Sequence, residues 1–346
     1  MMEPALVTTT LDTLGEPLSE QELCPDALLA GQEAAFHRDI LRLQARRAEF
    51  VDVACPACGA DDAAPIFSKH TFAYGRCAAC ATIYMSPRPS EAVMADYYAS
   101  SENYRYWATH IFPASEDARR EKVHRPWLER VIAACAGLRR PRLLEVGAGF
   151  GTFAALAAGS GRFEDVTVVE PTPELAAHCA ARGLNVILHR IEDVPAGARA
   201  DVIVSFEVIE HLFEPHRMVD ACAAMLQPGG LLVLSCPNGL GFDIAMLGAA
   251  SLAVDPEHVN LFNPRSLSRL VESCGFEVVS LTTPGRLDVE FVHDAIARGE
   301  TDVSDPFLRR VLVDEYDRLG WPFQQFLASH GLSSHMWLVA RRRAAS

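Results

Sequence analysis

The second half of the chain repeats one pattern. Short apolar runs alternate with longer stretches whose apolar residues recur at helical spacing. Arg142 to Val146, Val166 to Val169, Asn185 to Leu188, Val202 to Phe206, Leu231 to Ser235 and Phe276 to Leu281 read as strands, and Ser334 to Ala340 as a seventh. Helical stretches separate them. Strands that alternate with helices in this way form a parallel sheet covered on both faces.

The first half is organised differently. Residues 1 to about 20 read as irregular. Asp26 to Phe50 reads as a helix, with Leu29, Phe36, Ile40 and Leu43 at helical spacing and Arg42, Arg46 and Arg47 at the end that suits cations. In residues 51–90, Phe72, Tyr74, Ile83 and Tyr84 suit short strands, and Pro87 and Pro89 mark a boundary. Residues 91–137 are helical in pattern and carry Tyr97, Tyr98, Tyr104, Tyr106 and Trp107, which suit either a lid or packing between modules. The pattern therefore divides the chain into an extension (1–50), a small module (51–90), a helical linker or lid (91–140) and an α/β domain (141–346).

Composition narrows the possibilities. At 346 residues, 49% of them hydrophobic, the chain is long enough for two domains and a sizeable core. Its 31 Lys and Arg against 45 Asp and Glu give a formal charge of −14. A nucleic-acid binder needs a basic surface to displace counterions, so this balance argues against one. No basic start followed by an apolar run marks a signal peptide. The most apolar stretch, Gly239 to Val254, is shorter than the ~20 residues of a membrane span and contains Asp243. The pattern is that of a cytoplasmic protein without a membrane partner.

Four of the ten cysteines fall in two pairs, Cys55-Pro56-Ala57-Cys58 and Cys77-Ala78-Ala79-Cys80. Each pair can grip one side of a tetrahedral Zn²⁺, and two pairs close the shell. Such a site is structural, a zinc ribbon, with Gly59 supplying the tight turn after the first pair. The other six cysteines are scattered through apolar contexts, as small buried hydrophobes in a reducing compartment.

The chemistry is carried by the first α/β turn, Leu143-Leu144-Glu145-Val146-Gly147-Ala148-Gly149-Phe150-Gly151. Glycines let backbone approach a ligand at the carboxyl end of a strand, where open parallel sheets bind. Glu145 sits where a pyrophosphate would be repelled but an ammonium welcomed. Glu170 ends the next strand, placed to hydrogen-bond two ribose hydroxyls. No lysine follows the glycines, which excludes a triphosphate loop.

From Pro141 to Arg343 this set resembles the class I S-adenosylmethionine-dependent methyltransferases. The resemblance extends to Asp201 to His211, at the exit of the fourth strand, and to Leu226-Gln227-Pro228-Gly229-Gly230, the loop before the fifth. It implies a seven-stranded, Rossmann-like sheet whose last strand is antiparallel and inserted between the fifth and sixth. It places Glu145, Gly147, Ala148 and Gly149 around the methionine part of the cofactor. Glu170 then falls at the ribose, Ile191 and Glu192 at the adenine, and Phe206 beside the sulfonium.

Three roles remain open at the fourth strand's exit, one of them a structural His211 held by backbone bonds at a helix start. If a helix begins there, Glu207, Glu210 and His211 share one face and could hold Mg²⁺, as in some related small-molecule and RNA enzymes. Alternatively His211, paired with Glu210, is the general base, as the resemblance to sugar methyltransferases with an N-terminal zinc module implies. His258, after the fifth strand, is a second candidate base or a further ligand. The acceptor implied is a small molecule, a nucleotide sugar or a related biosynthetic intermediate. The C-methylating relatives carry a larger C-terminal region, which leaves O- or N-methylation open. A ribosomal-RNA methyltransferase and a non-catalytic assembly protein are the alternatives.

Overall fold

The computed structural model describes residues 16–195 and 199–344. The irregular start expected for residues 1 to about 20 lies, as far as residue 15, outside the described residues. The chain separates into two compact units, each assembled from several stretches. One comprises residues 1–115, 237–266 and 282–336, the other residues 116–236, 267–281 and 337–346.

The second unit holds most of a seven-stranded sheet. Its strands are β1 (Leu143–Val146), β2 (Val166–Val169), β3 (Asn185–Ile187), β4 (Ala200–Phe206), β5 (Leu226–Pro237), β6 (Phe276–Thr282) and β7 (His335–Arg342). Their order across the sheet is β6-β7-β5-β4-β1-β2-β3. Neighbours from β5 through β3 pair in parallel, and β7 lies between β5 and β6. This is the class I methyltransferase fold that the sequence implies.

One strand differs from expectation. Leu226 to Gly230 reads as a loop before the fifth strand, yet Leu226 already pairs with Ala200. Pairing resumes at Leu231 opposite Val202, so Gln227–Gly230 forms a bulge within β5. Gly229 within it is left-handed, at φ +79°, a conformation glycine adopts freely.

The inner strands of the sheet are buried because they are apolar on both faces, whereas β3 and β6 are partly exposed. Val168, Val202, Val204 and Val233 pack with Phe153, Ala154 and Ala157 of the helix Thr152–Gly159 and with Leu128 and Val131 of the helix Arg125–Ala134. Each valine, leucine or phenylalanine among them contributes about 1.5–3 kcal/mol on burial.

The first unit contains the cysteine module. Strands Ala63–Lys69, Phe72–Cys77 and Ile83–Met85 form a sheet completed by the short strand Asn260–Leu261. A two-residue ribbon, Phe50–Val51 with Arg88–Pro89, closes its base. The helix Asp26–Ala45 ends earlier than its apolar pattern implied, passing into a 3₁₀ turn, Arg47–Glu49. It buries Ile40 and Leu43 against Phe72, Tyr74, Ile83 and Met85. Asp39 on the same helix is fully buried and accepts hydrogen bonds from the Ser101 hydroxyl (2.6 Å) and the Glu102 and Asn103 amides, capping the helix Glu102–Tyr106. A further cluster of Val289, Val292, Val303, Leu312 and Leu327 packs the helices of residues 288–329. Among the described residues, no helix is long and apolar enough to cross a membrane.

Candidate functional site

The carboxyl ends of β1, β2 and β4 bring together most of the residues singled out by sequence. After β1 the chain turns through Gly147 (φ +72°) and Gly149 (φ +54°). A Cβ on Gly147 would lie 2.6 Å from a Val208 methyl, so only glycine fits there. A Cβ on Gly149 would meet nothing within 4 Å, which leaves open space beside the turn.

Glu170 lies just past β2, with its carboxylate already oriented. One oxygen accepts the Gly149 amide at 3.0 Å and the other the Thr172 amide at 3.0 Å. Burial raises its pKa, and these amides work against that rise. The Thr172 side chain bonds the carboxylate as well, and acceptor capacity remains for a further donor. A vicinal diol fits this arrangement, because two adjacent hydroxyls can reach one carboxylate.

Glu145 is buried within β1 and accepts a hydrogen bond from the Ala154 backbone. That amide belongs to the first turn of the helix Thr152–Gly159, whose N-cap, Gly151, has no side chain to offer. Glu145 therefore caps the helix from a distance. Its Oε2 has no hydrogen-bond partner within the protein, nor has the buried hydroxyl of Thr152. Burial, with the charge of Glu170 adding to it, pushes the Glu145 pKa well up. A buried acceptor of this kind fits a cationic donor.

Ile191 is buried in a 3₁₀ turn, Ile191–Asp193, after β3. Glu192 in the same turn lies 3.7 Å from the Arg190 guanidinium. Phe206 ends β4 with its ring inside an aromatic cluster. It stacks on Trp337 (5.2 Å, 19°) and meets Phe153 (4.9 Å) and Trp127 (4.8 Å).

The exit of β4 differs from the helix considered above. Glu207 has a left-handed backbone (φ +54°), and Ile209–His211 form a single 3₁₀ turn before Leu212 returns to extended geometry. The α-helical face on which Glu207, Glu210 and His211 were to meet does not form. Instead Ser235 on β5 fixes Glu207, donating its hydroxyl to the carboxylate at 2.7 Å and accepting the Glu207 amide at its carbonyl. Glu210 is buried, with Oε1 3.9 Å from Nε2 of His211. Burial first, and the neighbouring Glu207 charge second, drive the Glu210 carboxyl towards its neutral form. His258 belongs to the other unit, with Nδ1 2.9 Å from the Ala253 carbonyl.

The four paired cysteines converge within that other unit. Their sulfurs all lie within 4.8 Å of one another. Cys55 and Cys80 approach to 3.5 Å, and Cys58 and Cys77 to 3.6 Å. A tetrahedral zinc with ~2.3 Å bonds separates its sulfurs by roughly 3.8 Å, so the donor set fits that ion. Around it, the Thr82 hydroxyl lies 3.1 Å from the Cys80 sulfur, and Asp62 accepts from the Cys77 thiol and the Ala78 amide. Thr172, Ser235, Asp62 and Thr82 carry no motif of their own; Thr172 and Thr82 act on residues two positions away, Ser235 and Asp62 across the fold.

Comparison with known proteins agrees with this geometry. Residues 117–281 match the family of methyltransferase domains. A probable S-adenosylmethionine-dependent methyltransferase of Mycolicibacterium smegmatis is 32% identical over 158 residues, covering 45% of this chain and 58% of that protein. A probable S-adenosylmethionine-dependent methyltransferase of Mycobacterium tuberculosis (strain H37Rv) is 32% identical over 142 residues, 40% of this chain and 50% of that protein. A ubiquinone biosynthesis O-methyltransferase of Xylella fastidiosa (strain M23) is 34% identical over 128 residues, 34% of this chain and 51% of that protein. The chain thus spans about half the length of the curated relatives it matches.

Proposed function

We propose that this chain, whose residues 117–281 match the family of methyltransferase domains, transfers a methyl group from S-adenosylmethionine to a small molecule. The observation that carries the reading is Glu170, a buried carboxylate held by the amides of Gly149 and Thr172 at the end of β2. That arrangement suits a nucleoside ribose.

When bound, the cofactor supplies an electrophilic methyl group on a sulfonium that leaves without acid assistance. Glu170 accepts the two ribose hydroxyls. The unpartnered Oε2 of Glu145 suits the cofactor's ammonium, and Gly147 and Gly149 leave the backbone open beside it. Ile191 and Glu192 take the adenine side, and Phe206 closes the sulfonium side with a wall of aromatic rings. His211 takes the proton that the acceptor loses, with the Glu210 carboxyl 3.9 Å from its Nε2. His258 stands as the alternative base.

The relatives named for ubiquinone biosynthesis support a small organic acceptor, and the N-terminal cysteine module supports a sugar-bearing one. The cysteine site holds one structural zinc, which stabilises a module too small to fold on its own core. The acidic balance of −14 supports an acceptor other than nucleic acid and fits a cytoplasmic enzyme.

Calorimetry with S-adenosylmethionine and S-adenosylhomocysteine tests cofactor binding. Formation of S-adenosylhomocysteine over a panel of nucleotide sugars and hydroxylated aromatics then tests the acceptor class. Failure to bind either cofactor form overturns the reading.

A further inference from the structure

The segment Ser251–Asn263 follows β5 and carries His258. Apart from the two residues of Asn260–Leu261 it has no regular structure of its own. Irregular chain of this kind owes its order to the contacts it makes, and without them it opens locally. Within its unit many of those contacts run to the cysteine module; others run elsewhere, the Tyr97 hydroxyl donating to Glu257 and the Ser251 hydroxyl to Asp243.

Those to the module are numerous and run along the whole segment. Lys69 Nζ donates to the Ser251 carbonyl at 2.9 Å. The Tyr74 hydroxyl donates to the Asp255 carbonyl at 2.7 Å. The Met85 amide donates to the Val259 carbonyl at 3.0 Å. Asn260 and Leu261 then pair antiparallel with Tyr84 and Ile83, adding a fourth strand to the module's sheet. The side-chain amide of Asn263 donates to the carbonyl of Cys80, itself one of the four cysteines, at 2.9 Å. Val254, Val259 and Leu261 are buried among Phe72, Tyr74, Ile83 and Met85. Within this frame the His258 ring is oriented by the Ala253 carbonyl.

The frame depends on its own closure. Cys77 ends one strand of the sheet, and the turn Cys77–Ala81 leads directly into the strand Ile83–Met85 that pairs with the segment. Four thiols or thiolates drawn close without an ion between them repel or compete for protons, so the ion and the turn are formed together.

We propose that metal loading of the Cys55–Cys58–Cys77–Cys80 site orders the segment Ser251–Asn263 and thereby fixes the position of His258. The proposal rests on the zinc reading of the four cysteines. It makes the module a frame for a histidine-bearing loop, in addition to a stabiliser of its own strands.

The test is hydrogen exchange on the full chain. Protein purified with its metal is compared with the same protein after chelation under reducing conditions, and again after zinc is returned. Exchange within residues 251–263 should rise at least ~10-fold on metal removal and recover on reloading. Amides of β2 and β4 should stay protected, and calorimetric binding of S-adenosylmethionine should change little. A second arm leaves all four cysteines in place. Asn263→Ala and Tyr74→Phe should each speed exchange in the segment, and shift the His258 signals of histidine-labelled protein, at unchanged metal content. Protein that carries no metal as purified overturns the zinc reading. Metal-bearing protein whose segment keeps its protection after metal removal overturns this inference alone.

Discussion

Gly59 and Ala81 hold the same place in two turns with one hydrogen-bond pattern. The Gly59 amide donates to the Cys55 carbonyl at 2.8 Å, and the Ala81 amide to the Cys77 carbonyl at 2.9 Å. In each turn the cysteine amide then donates to the following residue, Ala60 or Thr82, at 2.9 Å. Both central residues are left-handed, at φ +73° and +60°.

Glycine adopts that geometry freely, whereas alanine pays roughly 1–2 kcal/mol for it. Ala81→Gly also loosens the unfolded chain, which offsets part of the gain. The variant should be neutral to stabilising, by up to ~1 kcal/mol, in urea unfolding of the metal-loaded protein. Gly59→Ala should destabilise by about 1 kcal/mol, since the added methyl meets open space and the cost is the backbone's alone. Destabilisation by Ala81→Gly, or no loss of stability in Gly59→Ala, would refute the equivalence of the two turns.

Metal analysis of protein purified without added zinc should find about one equivalent per chain. A Cys55→Ser/Cys77→Ser variant removes one sulfur from each pair and should lose that metal. Full retention by the variant would assign the metal to another place.

Glu170→Ala should weaken S-adenosylmethionine binding by ~2–3 kcal/mol, roughly 30- to 150-fold, because charged hydrogen bonds belong to the stronger class. The variant also strands the Gly149 and Thr172 amides, so Glu170→Gln, which keeps one acceptor, should fall between it and the native protein. Equal affinity in all three folded proteins removes Glu170 from the cofactor site.

His211→Ala should lower turnover by roughly 10²–10⁴ while leaving cofactor binding intact, the range of a well-placed base. The measurement is S-adenosylhomocysteine release with an acceptor found in the panel. Turnover that disappears with chelator and returns with Mg²⁺, at constant zinc content, would recast His211 as a ligand. Near-normal turnover in the variant would shift attention to His258.

His124 gives a pH dependence with a definite sign. Burial first, and the Arg119 charge second, push its pKa down to about 4. Its Nδ1 is buried without a hydrogen-bond partner. The folded value lies below the unfolded value of ~6.5, so the unfolded chain binds the extra proton between them. Stability is therefore intact above about pH 6.5 and is lost as the pH falls towards 4, by ~3 kcal/mol at most. Urea unfolding from pH 7 to pH 4 should show a steeper loss in the native protein than in His124→Phe. Parallel curves would show that the imidazole protonates freely in the fold.

The sheet could be read from sequence because each of its strands is a short apolar run between helical stretches, and packing decides such runs strongly. Val166 to Val169 and Val202 to Phe206 are of this kind. The β5 bulge was hidden, because Pro228-Gly229-Gly230 carries the composition of a loop while Leu226 before it already pairs. The exit of β4 was hidden for another reason. Its helical spacing was present, but Ser235 on the next strand holds Glu207 in a left-handed conformation that an α-helix excludes. The glycine turn, Glu170 and the cysteine pairs carry local signatures. Asp62 and Asn263 act through contacts that form only when separate segments meet, and nothing in their own neighbourhoods announces them.

The rings around Phe206 also give the chain a built-in optical probe. Of its four tryptophans, Trp127 and Trp337 flank that phenylalanine at the exit of β4, with their own rings 6.1 Å apart. Indoles this close exchange excitation energy and share one environment, so half of the protein's emitters report on a single place. Their emission and near-ultraviolet dichroism follow rearrangement at the strand exit directly, without an attached dye. Ligand screening by intrinsic fluorescence is thereby open on the unmodified chain, before any acceptor is known.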